Sequence, residues 1–216
     1  MAVFFVRLVL FDANGTLIDD LRMIFHTVLL TLRHFGVKSA ITLDEFRASV
    51  RLPIYDWLID IGLPRYITWK EFWAAMQLRL PDRLADGLFP EVPSVLSELK
   101  LKGYLLGIVS SAPRKLLSMQ LLQMGIAHYF AVVLAEGDYV HGKPSPEPIL
   151  RAVRMSEGRR PVVYIGDMAE DILAAHAAGV KAFAIHREHG YNDLNRLRAA
   201  KPDLIIENLA ELLALV

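Results

Sequence analysis

The chain has 216 residues, 54% of them hydrophobic and 22% charged, enough for one good core or a core with a small insert. Lys+Arg and Asp+Glu are both 24, so a zero formal charge gives no electrostatic case for nucleic acid or an acidic membrane surface. There is no cysteine, which excludes disulfides, thiolate metal sites and a cysteine nucleophile, and no apolar run reaches the ~20 residues that span a bilayer, so a cytoplasmic protein is expected.

The first apolar run, Ala2 to Phe11, is interrupted by Arg7 and followed at once by Asp12. A signal peptide needs a basic start, a longer apolar stretch and a small-residue cleavage site, so a buried strand over Leu8–Phe11 fits better. Residues 19–84 then show helical periodicity without a convincing strand. Helices are expected over Leu21–Phe35, Leu43–Val50, Tyr55–Ile61 and Trp69–Leu80. Pro53, Pro64 and Pro81 fall between or after them, where proline is tolerated. Trp57, Trp69 and Trp73 all lie in this stretch, which reads as a helical insert with its own small core.

Beyond residue 84 the pattern becomes regular. Val92, Val95, Leu96 and Leu99 recur at helical spacing, and Gly103 stops that helix. A strand follows over Tyr104–Val109, then a helix over 113–124, a strand over Val132–Leu134, a helix over 146–155 and a strand over Val162–Ile165. Glu170 to Ala178 reads as a helix ended by Gly179, and Ala182–Ile185 and Leu204–Ile206 as strands. Strands alternating with helices imply an α/β doubly wound parallel sheet. The core is expected over 1–18 and 85–216, with a small α-helical domain inserted over 19–84.

Ligands of open α/β sheets bind beyond the carboxyl ends of the strands. The first strand is followed by Asp12-Ala13-Asn14-Gly15-Thr16-Leu17 and the second by Ser110-Ser111. Lys143-Pro144-Ser145-Pro146 follows the third, and Gly166-Asp167, with Asp171 four residues on, the fourth. One sheet edge thus receives a carboxylate, a hydroxyl, an ammonium and a carboxylate pair. That is equipment for handling a phosphoryl group: nucleophile, metal ligands and charge neutralisation. Taken singly, Asp12 could cap a turn and Asp167 a helix; the order and spacing of the set outweigh those readings.

The four pieces resemble the motifs of the haloacid dehalogenase (HAD) superfamily over nearly the whole chain. D-x-D-G-T is matched by Asp12 to Thr16 except at its second aspartate, the strand-end Ser/Thr by Ser110, the K-P-x-P lysine by Lys143, and G-D-x-x-x-D by Gly166, Asp167 and Asp171. The resemblance implies a Rossmann-like core and a C1 helical cap as in phosphoglycolate phosphatase-like members. It implies that Asp12 attacks phosphorus and forms an aspartyl phosphate. Mg²⁺ would be held by Asp12, Asp167 and the backbone carbonyl of Asn14, with Asp171 in support. Ser110 and Lys143 would bind the phosphoryl oxygens, Ser111 competing with Ser110, and Gly15 and Thr16 belong to the same binding loop.

Asn14 departs from the motif. Family phosphatases place there an aspartate that protonates the leaving oxygen and then activates water, and an amide does neither. The readings left open are a slow or differently assisted phosphatase, a 2-haloacid dehalogenase, a phosphonatase using a cap lysine such as Lys38 or Lys70, and a protein that binds a phosphorylated ligand without turning it over. An engineered substitution at Asn14 is a further possibility. If another group supplies the acid and base, His26 and His34 are the first places to look. Phosphatase chemistry on a small phosphorylated metabolite is favoured, by a monomer or homodimer. Arg51, Arg47 and Arg65 of the insert are the candidates for contact with a substrate anion.

Overall fold

The computed structural model describes residues 7–216 apart from 83, 86, 158, 160 and 189, with only the backbone of Val162. Residues 2–6 of the first apolar run, residue 83 of the expected insert and residue 86 of the expected core lie outside the described residues. The chain opens with β1 (Leu8–Phe11), and a two-residue strand β2 (Ile18–Asp19) follows the loop that carries Asp12. Four helices come next: α1 (Leu21–His34), α2 (Leu43–Ser49), α3 (Ile54–Asp60) and α4 (Trp69–Gln77). The short β3 (Gly87–Leu88) returns to pair antiparallel with β2, Ile18 opposite Leu88 and Asp19 opposite Gly87. The passages into and out of the helices are therefore joined as a two-stranded ribbon, which the apolar pattern alone does not announce.

The second half alternates α5 (Val92–Leu101), β4 (Leu105–Pro113), α6 (Arg114–Gln123), β5 (Val132–Glu136), α7 (Glu147–Met155), β6 (Pro161–Gly166), α8 (Ala169–Ala177), β7 (Ala182–Ile185), α9 (Leu194–Ala199) and β8 (Leu204–Ile206). Six strands form one parallel sheet in the order β5-β4-β1-β6-β7-β8. The period-two alternation of β1 shows why both faces are covered: Val9 and Phe11 pack into one cluster with Val95, Leu96 and Leu99 of α5, while Leu8 and Leu10 join Ile149 of α7 and Ile172 of α8 in the other. Because β1 lies between β4 and β6, the loops after these three strands leave the sheet side by side, at the place where such sheets bind ligands.

In α1, Leu21, Ile24, Phe25, Val28 and Leu32 recur at three- and four-residue steps and are buried. Thr42–Glu45 and Thr68–Glu71 form reciprocal capping boxes that start α2 and α4. The buried residues of the four helices form one cluster with Leu116, Met168 and Tyr191, which come from beyond the strand ends. The expected separate small core is thus continuous with the rim of the sheet. A second departure concerns β4, which runs on through Ser110 and Ser111 to Pro113, with a register shift against β5 after Val109. Ser110 lies within the strand rather than at its end.

Candidate active site

At the carboxyl end of β1 the Asp12 carboxylate meets the ammonium of Lys143, with Nζ donating to Oδ1 at 2.6 Å. The same Nζ donates to Asp171 Oδ1 at 2.5 Å, to the Val109 carbonyl at 3.2 Å and to the Tyr164 hydroxyl at 3.1 Å. Three N–H donors face four acceptors, so this ammonium, 2% exposed, is saturated by the protein. Asp171 spends its other oxygen on the Met168 amide at 3.0 Å, which fixes the first turn of α8. Asp167 is held by the Thr16 hydroxyl at 3.1 Å and the Tyr191 amide at 3.4 Å. Two glycines make room for these carboxylates. A Cβ on Gly15, which has φ +77°, would fall 2.2 Å from Asp167 Oδ2, and one on Gly166 would fall 2.4 Å from the Asp171 carboxyl carbon.

Asp12, Asp167 and Asp171 are all buried, with carboxylate oxygens within 4.8 Å of one another. Burial pushes Asp12 up to about 7 against the pull of Lys143, with Asp171 adding to the rise. Burial, together with the charges of Asp12 and Asp171, holds Asp167 well above the carboxylate range. Burial opposes the charge on Lys143, but Asp12 and Asp171 outweigh it and raise its affinity for the proton. Three carboxylates share one ammonium, so the cluster cannot ionise fully without another cation. A set of closely spaced, buried oxygen donors short of positive charge is what a hard divalent ion such as Mg²⁺ requires.

Asn14, half-buried, carries a second network. Its amide nitrogen donates to Asp20 Oδ2 and, at 2.9 Å, to Gln120 Oε1; its oxygen lies 3.5 Å from the Ser110 hydroxyl. Gln120 Nε2 donates to Asp20 Oδ2 at 3.1 Å and Tyr191 OH to Asp20 Oδ1 at 3.0 Å. Asp20 is fully buried, and burial raises it to about 7 despite these donors. It lines the same cavity as Asp12, Asn14, Ser110, Ser111 and Lys143. Nothing in its local sequence marks it, since an aspartate before a helix also suits a cap. Asp20 does occupy the N-cap of α1, but its side chain makes no capping bond and turns to the cavity network instead.

The outer wall of the cavity comes from α1, α3, α4 and the turn before α3: Ile24, Leu52, Ile54, Trp69, Trp73 and Met76. None of the basic residues expected there lines it. Arg51 pairs with Asp60 and, like Arg65, borders a separate surface depression. Arg47 reaches across to the core, donating to the carbonyls of Gly190 at 2.6 Å and Glu188 at 2.7 Å. Lys38 and Lys70 are exposed, as are His26 and His34, and none of the four lines the cavity. Gly15 and Thr16 also stand back from it: Thr16 is fully buried behind Asp167, and Gly15 acts through the space it leaves.

The family model for haloacid dehalogenase-like hydrolases matches residues 9–185. A phosphoglycolate phosphatase of Yersinia pseudotuberculosis is 28% identical, the match covering 96% of this chain and 92% of the relative. The pyrophosphatase PpaX of Bacillus velezensis is 29% identical, over 96% and 95%. Among solved structures, a protein described as a predicted phosphoglycolate phosphatase from Haemophilus somnus shares the fold with a TM-score of 0.81, 24% identity and 99% of each chain covered.

Proposed function

Because the chain belongs to the haloacid dehalogenase-like hydrolase family, we propose that it is a Mg²⁺-dependent phosphatase that hydrolyses a small phosphorylated metabolite through an aspartyl phosphate on Asp12. The observation that carries this reading is the buried cluster of Asp12, Asp167 and Asp171 around a single saturated lysine. Asp12, Asp167 and the backbone carbonyl of Asn14 would hold the ion, which when bound neutralises charge on the phosphoryl oxygens. Asp171 supports the site from behind, since both its oxygens are engaged by Lys143 and the Met168 amide. Phosphatase-named relatives at 28–29% identity favour the same chemistry.

In this reading Lys143 holds the Asp12 carboxylate in one orientation, so that the oxygen not bonded to the ammonium attacks phosphorus as the bond to the leaving oxygen breaks. Ser110, with Ser111 beside it in the cavity, offers a hydroxyl to the phosphoryl oxygens. Asn14 cannot move the protons. We assign that work to Asp20, a carboxylate that lines the cavity and is hydrogen-bonded to the amide standing where the motif has its aspartate. It delivers a proton to the leaving oxygen and takes one from the water that hydrolyses the aspartyl phosphate, directly or across one water.

The alternatives fit less well. A metal-free dehalogenase has no use for three clustered carboxylates, and a phosphonatase needs a cap lysine at the cavity, which neither Lys38 nor Lys70 provides. A pure binding role leaves the Asp12–Lys143 pair and Asp20 without a task. The test is a phosphate-release screen over phosphorylated metabolites with Mg²⁺ and again with EDTA. Release that stops with EDTA and returns with Mg²⁺ is expected. Release indifferent to EDTA, or halide release from 2-haloacids, sinks the reading.

A further inference from the structure

We propose that the leaving group of the substrate is uncharged and apolar, an aromatic or branched alkyl alcohol esterified to phosphate; this inference rests on the phosphatase reading. The floor of the cavity holds the polar groups, and its outer wall holds hydrocarbon and indole. Trp73 is half-buried and stacked on Trp69 with ring centroids 6.3 Å apart, so part of its face is left without a protein partner inside the cavity. Trp69 stacks on Phe72 and Trp73 and lines the same space. Met76 and Leu116 continue the apolar surface on either side.

The second observation concerns charge. Among the described residues Lys143 is the only lysine or arginine that lines the cavity, and Asp12 and Asp171 saturate it. Arg47, Arg51 and Arg79 are committed elsewhere, to the Gly190 and Glu188 carbonyls, to Asp60 and to the Ala75 carbonyl. A leaving group bearing a carboxylate or second phosphate would bring an anion into a space walled by apolar side chains and floored by carboxylates. The proposed Mg²⁺ sits at the floor with the phosphoryl group, and among the described residues no lysine or arginine stands on the wall to pair with a second anion, where an unpaired buried charge is costly. A phenyl or branched alkyl group placed against Trp73 instead removes apolar surface from water on both partners.

The experiment measures phosphate release by the full chain with Mg²⁺ from 2-phenylethyl phosphate, ethyl phosphate, 2-phosphoglycolate and inorganic pyrophosphate. The first two have similarly basic leaving alcohols, so their ratio reports the pocket rather than intrinsic reactivity. Burial of the phenyl ring predicts a kcat/KM about 30-fold higher for 2-phenylethyl phosphate than for ethyl phosphate, with both anionic compounds below it. Trp73→Ala should reduce that ratio about ten-fold, while Trp73→Leu should retain part of it. If Trp73→Ala does not fold, the wild-type ratios decide alone. Release with 2-phosphoglycolate or pyrophosphate preferred, or a ratio near one, overturns this inference and leaves the phosphatase reading standing. Release from none of these nor from any phosphomonoester in the broader screen overturns the phosphatase reading and this inference with it.

Discussion

At the floor of the cavity the charged and amide side chains are bonded to one another. Lys143 touches two carboxylates, Thr16 holds Asp167, and Tyr191, Gln120 and Asn14 converge on Asp20. On the outer wall Trp69, Trp73, Met76, Ile54 and Leu52 touch their neighbours through carbon and leave space between them. The floor is held by three adjacent parallel strands, whose register leaves little freedom. The wall is held by short helices anchored through a two-stranded ribbon and a few bonds such as those of Arg47. The contrast teaches a division of labour. Under the proposed function, chemistry that needs fixed sub-ångström geometry would fall to the sheet, and selection among leaving groups to the helices. Changes on the floor should therefore act on turnover, and changes on the wall should act on the choice of substrate.

The largest effect is expected at Asp12. Asp12→Asn keeps the shape but removes the nucleophile, and phosphate release should fall by about 10⁴ or more. Circular dichroism should show the fold retained, since Asn can still accept a hydrogen bond from Lys143. Residual activity within about ten-fold of wild type would move the nucleophile elsewhere and undo the division just drawn.

Next comes Asp20. Asp20→Asn should lower steady-state turnover by about 10² to 10⁴, the usual contribution of general acid–base catalysis, with the larger loss on alkyl phosphates, whose alkoxide most needs a proton. Asn14→Asp in the wild-type background puts a carboxylate against Asp20 and should gain little. In the Asp20→Asn background the same change should recover part of the loss. Recovery in that background alone identifies the pair as one site with two possible owners of the proton. If Asp20→Asn turns over alkyl phosphates at the wild-type rate, the acid and base lie outside this network.

The floor also predicts a pH dependence of stability. Asp12 and Asp20 sit at about 7 in the folded chain against a reference of 3.8. Between those values the folded state keeps protons that the unfolded state has lost. The stability these groups contribute is complete below the unfolded value and disappears as pH rises through the folded one. Melting temperatures in EDTA should therefore fall from about pH 4 to about pH 7. Mg²⁺ competes with the proton at Asp12, though not with that at Asp20, so it should raise the melting temperature more at pH 8 than at pH 5. A melting temperature that climbs through this window in EDTA, or responds equally to Mg²⁺ at both pH values, would mean that the cluster is not short of positive charge.

The same division governs what could be read from the sequence. Asp12, Ser110 and Asp167 directly follow short apolar runs, and in a parallel sheet that position places a side chain at the ligand edge; Lys143, in the loop after β5, and Asp171, in the first turn of α8, were legible only from the spacing of the whole set. The strands β1, β7 and β8 have the limits their apolar runs suggest; in β1 and β7 the run is buried on both faces and so has sharp ends. Asp20 was not legible, since its local context is that of a helix cap and only the long-range bonds to Gln120 and Tyr191 turn it inward. Nor was the wall legible. Periodicity shows that α1 and α4 have apolar faces, but it does not distinguish an apolar side chain that closes a core from one, like Trp73, that fronts a cavity. Arginines are harder still, because a long flexible side chain goes to whichever acceptor the tertiary structure brings near.

Arg51 provides the smallest and most discriminating test of that last point. It precedes Leu52, which does line the cavity, so sequence position alone makes it a reasonable contact for a substrate anion. The structure turns its guanidinium to Asp60, in a surface depression shared with Arg65, and both partners are substantially exposed at 40% and 58%. An ion pair in that setting is screened by water and contributes roughly 0 to 1 kcal/mol to stability. Arg51→Ala should therefore change KM by less than about two-fold for charged and uncharged substrates alike, and shift the urea midpoint only slightly. Arg47→Ala is the matched control, because its guanidinium bonds two core carbonyls and helps seat the wall against the floor. It should raise KM for all substrates together, without changing their order. A selective rise in KM for an anionic substrate in Arg51→Ala would show that the helices rearrange on binding to bring a cation into the cavity, and the wall would then have to be judged in that closed arrangement.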